Sequence, residues 1–196
     1  MQSMNIASRL RLALRISRAN TIARRYFVTN GFDGALTLLG LLMGFRVAGE
    51  VAHEIALAAG FGTSVALGVS GLSSAYISET AERRQELDRL QEAMAKPLDG
   101  TAHDHAARIA PVVVALVNGL SPFLIAQAIL MPLWLEVVGF GLTISAVDAG
   151  ITIALLLVFL LGVYLGRISG THWLWAGIRA ALLAIATAGL ILVFDI

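Results

Sequence analysis

Five apolar stretches, each near the length needed to cross a bilayer, constrain this chain more than any other feature. A helix needs about 20 residues to span the hydrocarbon core. The stretches at about 27–47, 52–77, 108–131, 144–165 and 174–194 meet that requirement. Hydrocarbon offers no partner for backbone amides, so segments of this length are expected to be helices, which satisfy those groups internally. Composition points the same way: 58% of residues are hydrophobic and 14% charged, and the mean hydropathy is +0.81. A soluble core of this size could not hide so much apolar surface. The expected fold class is therefore an all-α integral membrane protein with five transmembrane helices.

The charges set the expected orientation. With the N-terminus inside, 13 of the 14 Lys and Arg lie on the cytoplasmic side: Arg9, Arg11, Arg15, Arg18, Arg24 and Arg25, then Arg83, Arg84, Arg89, Lys96 and Arg108, then Arg167 and Arg179. Only Arg46 falls outside, and this asymmetry is the positive-inside pattern. The first 25 residues form a basic segment. Arg11, Arg15 and Arg18 share one helical face, with Leu10, Leu12, Leu14 and Ile16 mostly around the other, as in a helix lying on an anionic inner leaflet. The same arginine-rich, acid-free composition is compatible with a mitochondrial transit peptide. The expected location is thus a bacterial inner membrane, with an organelle membrane as the alternative. Residues 26–196 make up the five-span domain.

Within the first span, Asp33 places a carboxylate in the string Thr29-Asn30-Gly31-Phe32-Asp33-Gly34. A charge at that depth costs about 2.5–3.5 kcal/mol on insertion scales. The residue is either a cap or pairing group near the interface, or a cation or proton site. The second span is expected to continue as helix out of the membrane through Met94, until Pro97 and Asp99-Gly100 turn the chain. Along that extension Glu79, Glu82 and Glu86 follow i, i+3, i+7 spacing, which puts three carboxylates toward one face for a hard divalent cation. His103 and His105 add imidazoles just beyond the turn. The alternative is a solvated helix held by pairs such as Glu79–Arg83. Residues 79–107 are therefore a metal-binding-like insertion or a polar connection. Glu50, His53 and Glu54 form a further candidate exit site, or else a helix start with acids against the dipole, which also accounts for Asp148.

Cysteine is absent, so any metal rests on oxygen, imidazole or thioether ligands. No phosphate-cradling Gly-Lys-Ser/Thr loop and no Ser-His-Asp arrangement is present, which disfavours ATP-driven pumping and hydrolysis. No enzyme activity, no permanently bound cofactor and no nucleic-acid partner is expected. Gly40 and Gly44, and Gly162, Gly166 and Gly170, have the spacing of close helix contacts. Pro122 should kink the third span and free a carbonyl. Trp134, Trp173 and Trp175 suit interfacial anchoring. Met43, Met94 and Met131 suit gap filling.

Several of these segments together resemble the vacuolar iron transporter family. Phe27 to Phe45, with Asn-Gly-Phe-Asp-Gly at its start, looks like the family's first helix, and Ser70 to Arg84 is similar to its second helix where it leaves the membrane. Gly119-Leu120-Ser121-Pro122 resembles the Gly-x-x-Pro of the third helix. Gly162-Val163-Tyr164-Leu165-Gly166-Arg167, with Gly170 and Gly177-Ile178-Arg179, resembles the junction of the fourth and fifth. The resemblance spans about residues 24–194. It implies a homodimeric exporter of Fe²⁺ or Mn²⁺ working by proton antiport, with the metal as transported substrate. It maps the family's helix-one aspartate onto Asp33 and its glutamate-rich cytoplasmic region loosely onto Glu79 to His105. Two departures stand out: the family's second-helix methionine and glutamate are here Gly71 and Ala75, and the insertion is only about 30 residues long, from Ser78 to Ala107.

The orientation is testable directly. A reporter fused after Ile196 is expected outside the cytoplasm and one inserted near Gly100 inside it; finding both on one side would overturn the five-span topology.

Overall fold

In the computed structural model, residues 19–49 and 51–193 are described. Residues 1–18 of the basic N-terminal segment, with Arg9, Arg11, Arg15 and Arg18, lie outside them, as does Glu50. The described residues are all-helical: α1 (Ala19–Ala48), α2 (His53–Met94), α3 (Ala102–Val137), α4 (Ala146–Ser169) and α5 (Trp173–Val193). All five are long and apolar enough to cross a membrane. Each covers most of one of the five apolar stretches, and α2 continues without a break to Met94, as its sequence leads one to expect.

The turn after α2 is built from short-range polar contacts. Ala95 takes a positive φ of 46° and Gly100 one of 68°, on either side of Pro97. The Leu98 amide donates to Gln91 Oε1 at 3.0 Å, which ties the turn back onto the end of α2. Thr101 then caps α3: its hydroxyl accepts from the Asp104 amide, and Asp104 Oδ2 accepts from the Gly100 amide at 3.0 Å. This is a variant of the reciprocal cap that satisfies the orphan amides of a helix start.

The chain divides into two compact units. One comprises residues up to Phe27 with Val69–Leu120, and the other comprises Val28–Gly68 with Ser121–Ile196. In the first, Ala110 and Val114 of α3 pack with Ile22 and Tyr26 of α1. The second holds the larger core, in which Leu38, Leu39 and Leu42 of α1 meet Ile129, Leu130 and Leu133 of α3, with Ala154 and Val158 of α4 and Ala180 and Ala184 of α5 completing it.

Close approach in this second unit depends on missing side chains. A Cβ on Gly34 would sit 2.7 Å from both Cα and the carbonyl oxygen of Pro122, and one on Gly150 would sit 3.1 Å from the Ile129 carbonyl. Gly162 and Gly166 admit α5 in the same way, since Cβ atoms there would lie 2.8 Å from the Ala176 carbonyl and 2.9 Å from Trp173 Cα. Gly170 ends α4 in the left-handed conformation, φ 70°, and its amide donates to Gly166. The expected close contact at Gly162 and Gly166 is thus an intrachain α4–α5 packing. At Gly40 and Gly44 no such contact exists within the described residues. Gly40 meets only Ile191 Cδ1 at 3.8 Å and Gly44 meets nothing within 4 Å, because α1 turns Leu38, Leu39 and Leu42 inward instead.

A polar clasp joins α2 to α3. Gln127 Nε2 donates to the fully buried Ser64 hydroxyl at 2.6 Å, that hydroxyl donates to the Phe61 carbonyl at 2.7 Å, and Trp134 Nε1 donates to Gln127 Oε1 at 3.2 Å. Trp134 also meets Phe61 edge to face, so this residue joins the helices as well as suiting an interface. Met43 is buried in the core, whereas Met94 and Met131 are exposed and fill no gap within the chain.

Overpacking costs typically about 1–3 kcal/mol. Gly34→Val is therefore expected to lower the melting temperature in detergent clearly, whereas Gly189→Ala, with no atom within 4 Å of the added Cβ, should leave it unchanged or slightly raised.

Candidate functional site

Two separate groups of candidate residues fall in the two units. In the second unit, Asp33 lies on the exposed side of α1, one turn from Thr29 and Thr37, which are exposed as well. Its immediate neighbours in sequence face the other way: Gly31 packs near Ser121 and Leu161, and Gly34 packs on Pro122. The helical period therefore fixes where Asp33 points. No hydrogen bond or ion pair holds its carboxylate among the described residues. A carboxylate presented this way suits a cation, a proton or a second polypeptide.

In the first unit the carboxylates of α2 are organised by an arginine. Glu79 is buried at 3% exposure, and Arg83, at 8%, donates through Nη2 to Glu79 Oε2 at 3.3 Å and through Nη1 to Glu86 Oε2. Positions 79, 83 and 86 follow i, i+4, i+7, so one guanidinium bridges two turns of helix. Glu82 lies on the exposed side and makes no ion pair with Arg83. The Arg83 Nε and the Thr80 hydroxyl are buried without hydrogen-bond partners among the described residues.

The histidines meet this group only in part. His103 is exposed and lines a cavity of about 240 Å³ together with Arg83, Glu86 and Leu90. His105 is exposed. Between them Asp104 is occupied: besides capping α3 it accepts from Arg108 Nε at 2.9 Å. Among the described residues no three His, Asp or Glu side chains gather around one point. The i, i+3, i+7 spacing of the glutamates therefore does not by itself assemble a three-ligand site, because Arg83 stands where a cation would share Glu79 and Glu86.

Position 71 has a physical reason for being glycine. Asn118 Nδ2 donates to the Gly71 carbonyl at 2.6 Å. A Cβ on Gly71 would lie 3.0 Å from the Asn118 carbonyl oxygen and 3.3 Å from Gly119 Cα. A methionine at 71 would have to displace that carbonyl. Ala75, one turn further, is buried at 5% exposure, where a glutamate would need a partner of its own.

Of the other candidates, Glu54 is exposed and His53 half-buried, lining a groove with Arg46. Asp148 lies in the first turn of α4, where the dipole favours it, and pairs with Arg46 at 2.8 Å. The roles of Arg83 and Asn118 are those least visible from composition. The signal for Arg83 was its spacing from two glutamates.

No family model and no solved structure matches this chain. It is similar to the uncharacterized protein MJ0645 of Methanocaldococcus jannaschii, 29% identical over 167 residues and covering 84% of each chain.

Removing Arg83 alone leaves Glu79 buried and unpaired, a situation that costs about 3–5 kcal/mol. Arg83→Met is expected to lower thermal stability sharply, and the double change Arg83→Met with Glu79→Leu to restore most of it. Equal destabilisation by the single and double variants would show that the pair does not hold this segment.

Proposed function

We propose that this protein is a divalent-cation transporter resembling the vacuolar iron transporters, exporting Fe²⁺ or Mn²⁺ from the cytoplasm in exchange for protons. The observation that carries the reading is Asp33, an exposed carboxylate without a partner among the described residues, on a helix apolar enough to cross a membrane. Such a group is costly in lipid unless it meets a cation, a proton or water. An ionisable carboxylate also exchanges metal for protons, since ligation requires the deprotonated form.

One carboxylate is a poor site for a divalent ion, and a homodimer answers that need. The exposed face of α1 carries Thr29, Asp33 and Thr37, and α2 exposes Ala58, Gly62 and Ala66 at four-residue intervals. Small and hydroxylated faces of this kind let helices approach closely in lipid. An isologous pairing through α1 would bring a second Asp33 to the first. Transport is assigned to an inner (plasma) membrane, with the N-terminus cytoplasmic, the C-terminus outside and the polar end of α2 in the cytoplasm. There the exposed Glu82, His103 and His105, with Glu86 on the cavity rim, would collect metal before it enters.

A second reading, a membrane scaffold of the same lineage that no longer transports, is favoured by the capture of Glu79 and Glu86 by Arg83 and by the glycine at 71. Flux separates the two. In proteoliposomes the protein is expected to move Fe²⁺ or Mn²⁺ faster than Zn²⁺ and faster with a proton gradient than without. Asp33→Asn keeps size and hydrogen bonding but removes the charge, and should reduce flux to the protein-free background while the protein still inserts. Near-normal flux in Asp33→Asn would remove Asp33 from the path, and no flux in the unaltered protein would favour the scaffold.

A further inference from the structure

At the end of α1 and the start of α4, two grooves meet at one side chain. Arg46 lines both. The first, of about 630 Å³, also has His53 and Ser145 in its wall. The second, of about 530 Å³, is walled by Met43, Val47, Ile151 and Leu192 and carries Asp148 beside Arg46. The first groove thus sets its polar groups in an otherwise apolar wall that includes Phe45, Val51 and Val147, the second is mainly aliphatic, and a guanidinium stands at the junction.

Arg46 is exposed and only partly engaged. Its Nε meets Asp148 Oδ1 at 2.8 Å, and no other ion-pair partner is present among the described residues. A planar guanidinium whose terminal nitrogens carry no ion pair among the described residues matches the paired oxygens of a phosphate. A cation would find the Asp148 carboxylate already paired with Arg46, an apolar peptide would leave the guanidinium unused, and a free phosphate would leave the aliphatic groove unfilled. An amphiphile with a phosphate between its polar and apolar parts fits all three surfaces.

We infer that the α1–α4 end binds one membrane phospholipid. Its phosphodiester lies against Arg46, its head group in the groove of His53 and Ser145, and an acyl chain along Met43, Val47, Ile151 and Leu192. Asp148 holds the guanidinium at the junction and competes with the phosphate for its charge.

Native mass spectrometry of the full-length protein in detergent tests this with three probes: phosphatidylglycerol, diacylglycerol and glycerol phosphate. Phosphatidylglycerol should be retained, and neither diacylglycerol nor glycerol phosphate alone. Arg46→Met should weaken phosphatidylglycerol binding by about five-fold, the contribution of one basic residue near an anionic lipid surface. Asp148→Asn breaks the same ion pair but frees the guanidinium, and should hold the lipid as well or better. Retention of diacylglycerol equal to that of phosphatidylglycerol, binding of glycerol phosphate alone, unchanged retention in Arg46→Met, or equal loss in both variants would each overturn the assignment. The comparison of probes on the unaltered protein decides the matter even where a variant does not fold.

Discussion

The larger packed unit depends on backbone meeting backbone where side chains are absent. In lipid, association between helices gains little from burying apolar surface, because the surrounding chains are equally apolar; close van der Waals contact has to supply the attraction. Gly34 against Pro122, Gly150 against Ile129, and Gly162 and Gly166 against α5 are the places where that contact is made. The leucines of α1 and α3 fill the space these crossings define, and the Gln127–Ser64 bond fixes α2 alongside α3. Asp33 faces outward as a consequence: Gly34 is committed to Pro122, and the adjacent residue on a helix points about 100° away.

The five helices were legible from hydropathy and length because each apolar run is long enough to count as a span on its own. The extension of α2 to Met94 was legible as well, from helix formers ending at Pro97. Partner choice was not. Gly40 and Gly44 have the same spacing as Gly162 and Gly166, yet only the second pair meets the backbone of another helix among the described residues. A four-residue interval between small residues states that a neighbour can come close, without stating which neighbour does.

The same limit applies to charge. Glu79, Glu82 and Glu86 carry a spacing that suits a cation, and Glu79, Arg83 and Glu86 carry one that suits a guanidinium; the sequence contains both. Burial decides between them, because Glu79 and Arg83 leave water together and each needs the other. Arg46 illustrates the point at the opposite end of α1. As an exception to the basic asymmetry it conveyed little, and only its placement beside Asp148 and two grooves gave it a chemical context.

The tight packing of α4 on α5 bears on how the chain is made. Only Gly170, Thr171 and His172 separate the two helices, so their contacts close a very short loop and little chain entropy is lost in forming them. Contacts this local are also fast to form. The final two apolar segments can therefore pair as a hairpin as soon as both have been synthesised, before α1 and α3 are fully arranged around them. The C-terminal quarter of the chain is then a self-contained step in biogenesis, and the longer-range fit of Gly150 against α3 completes the core afterwards.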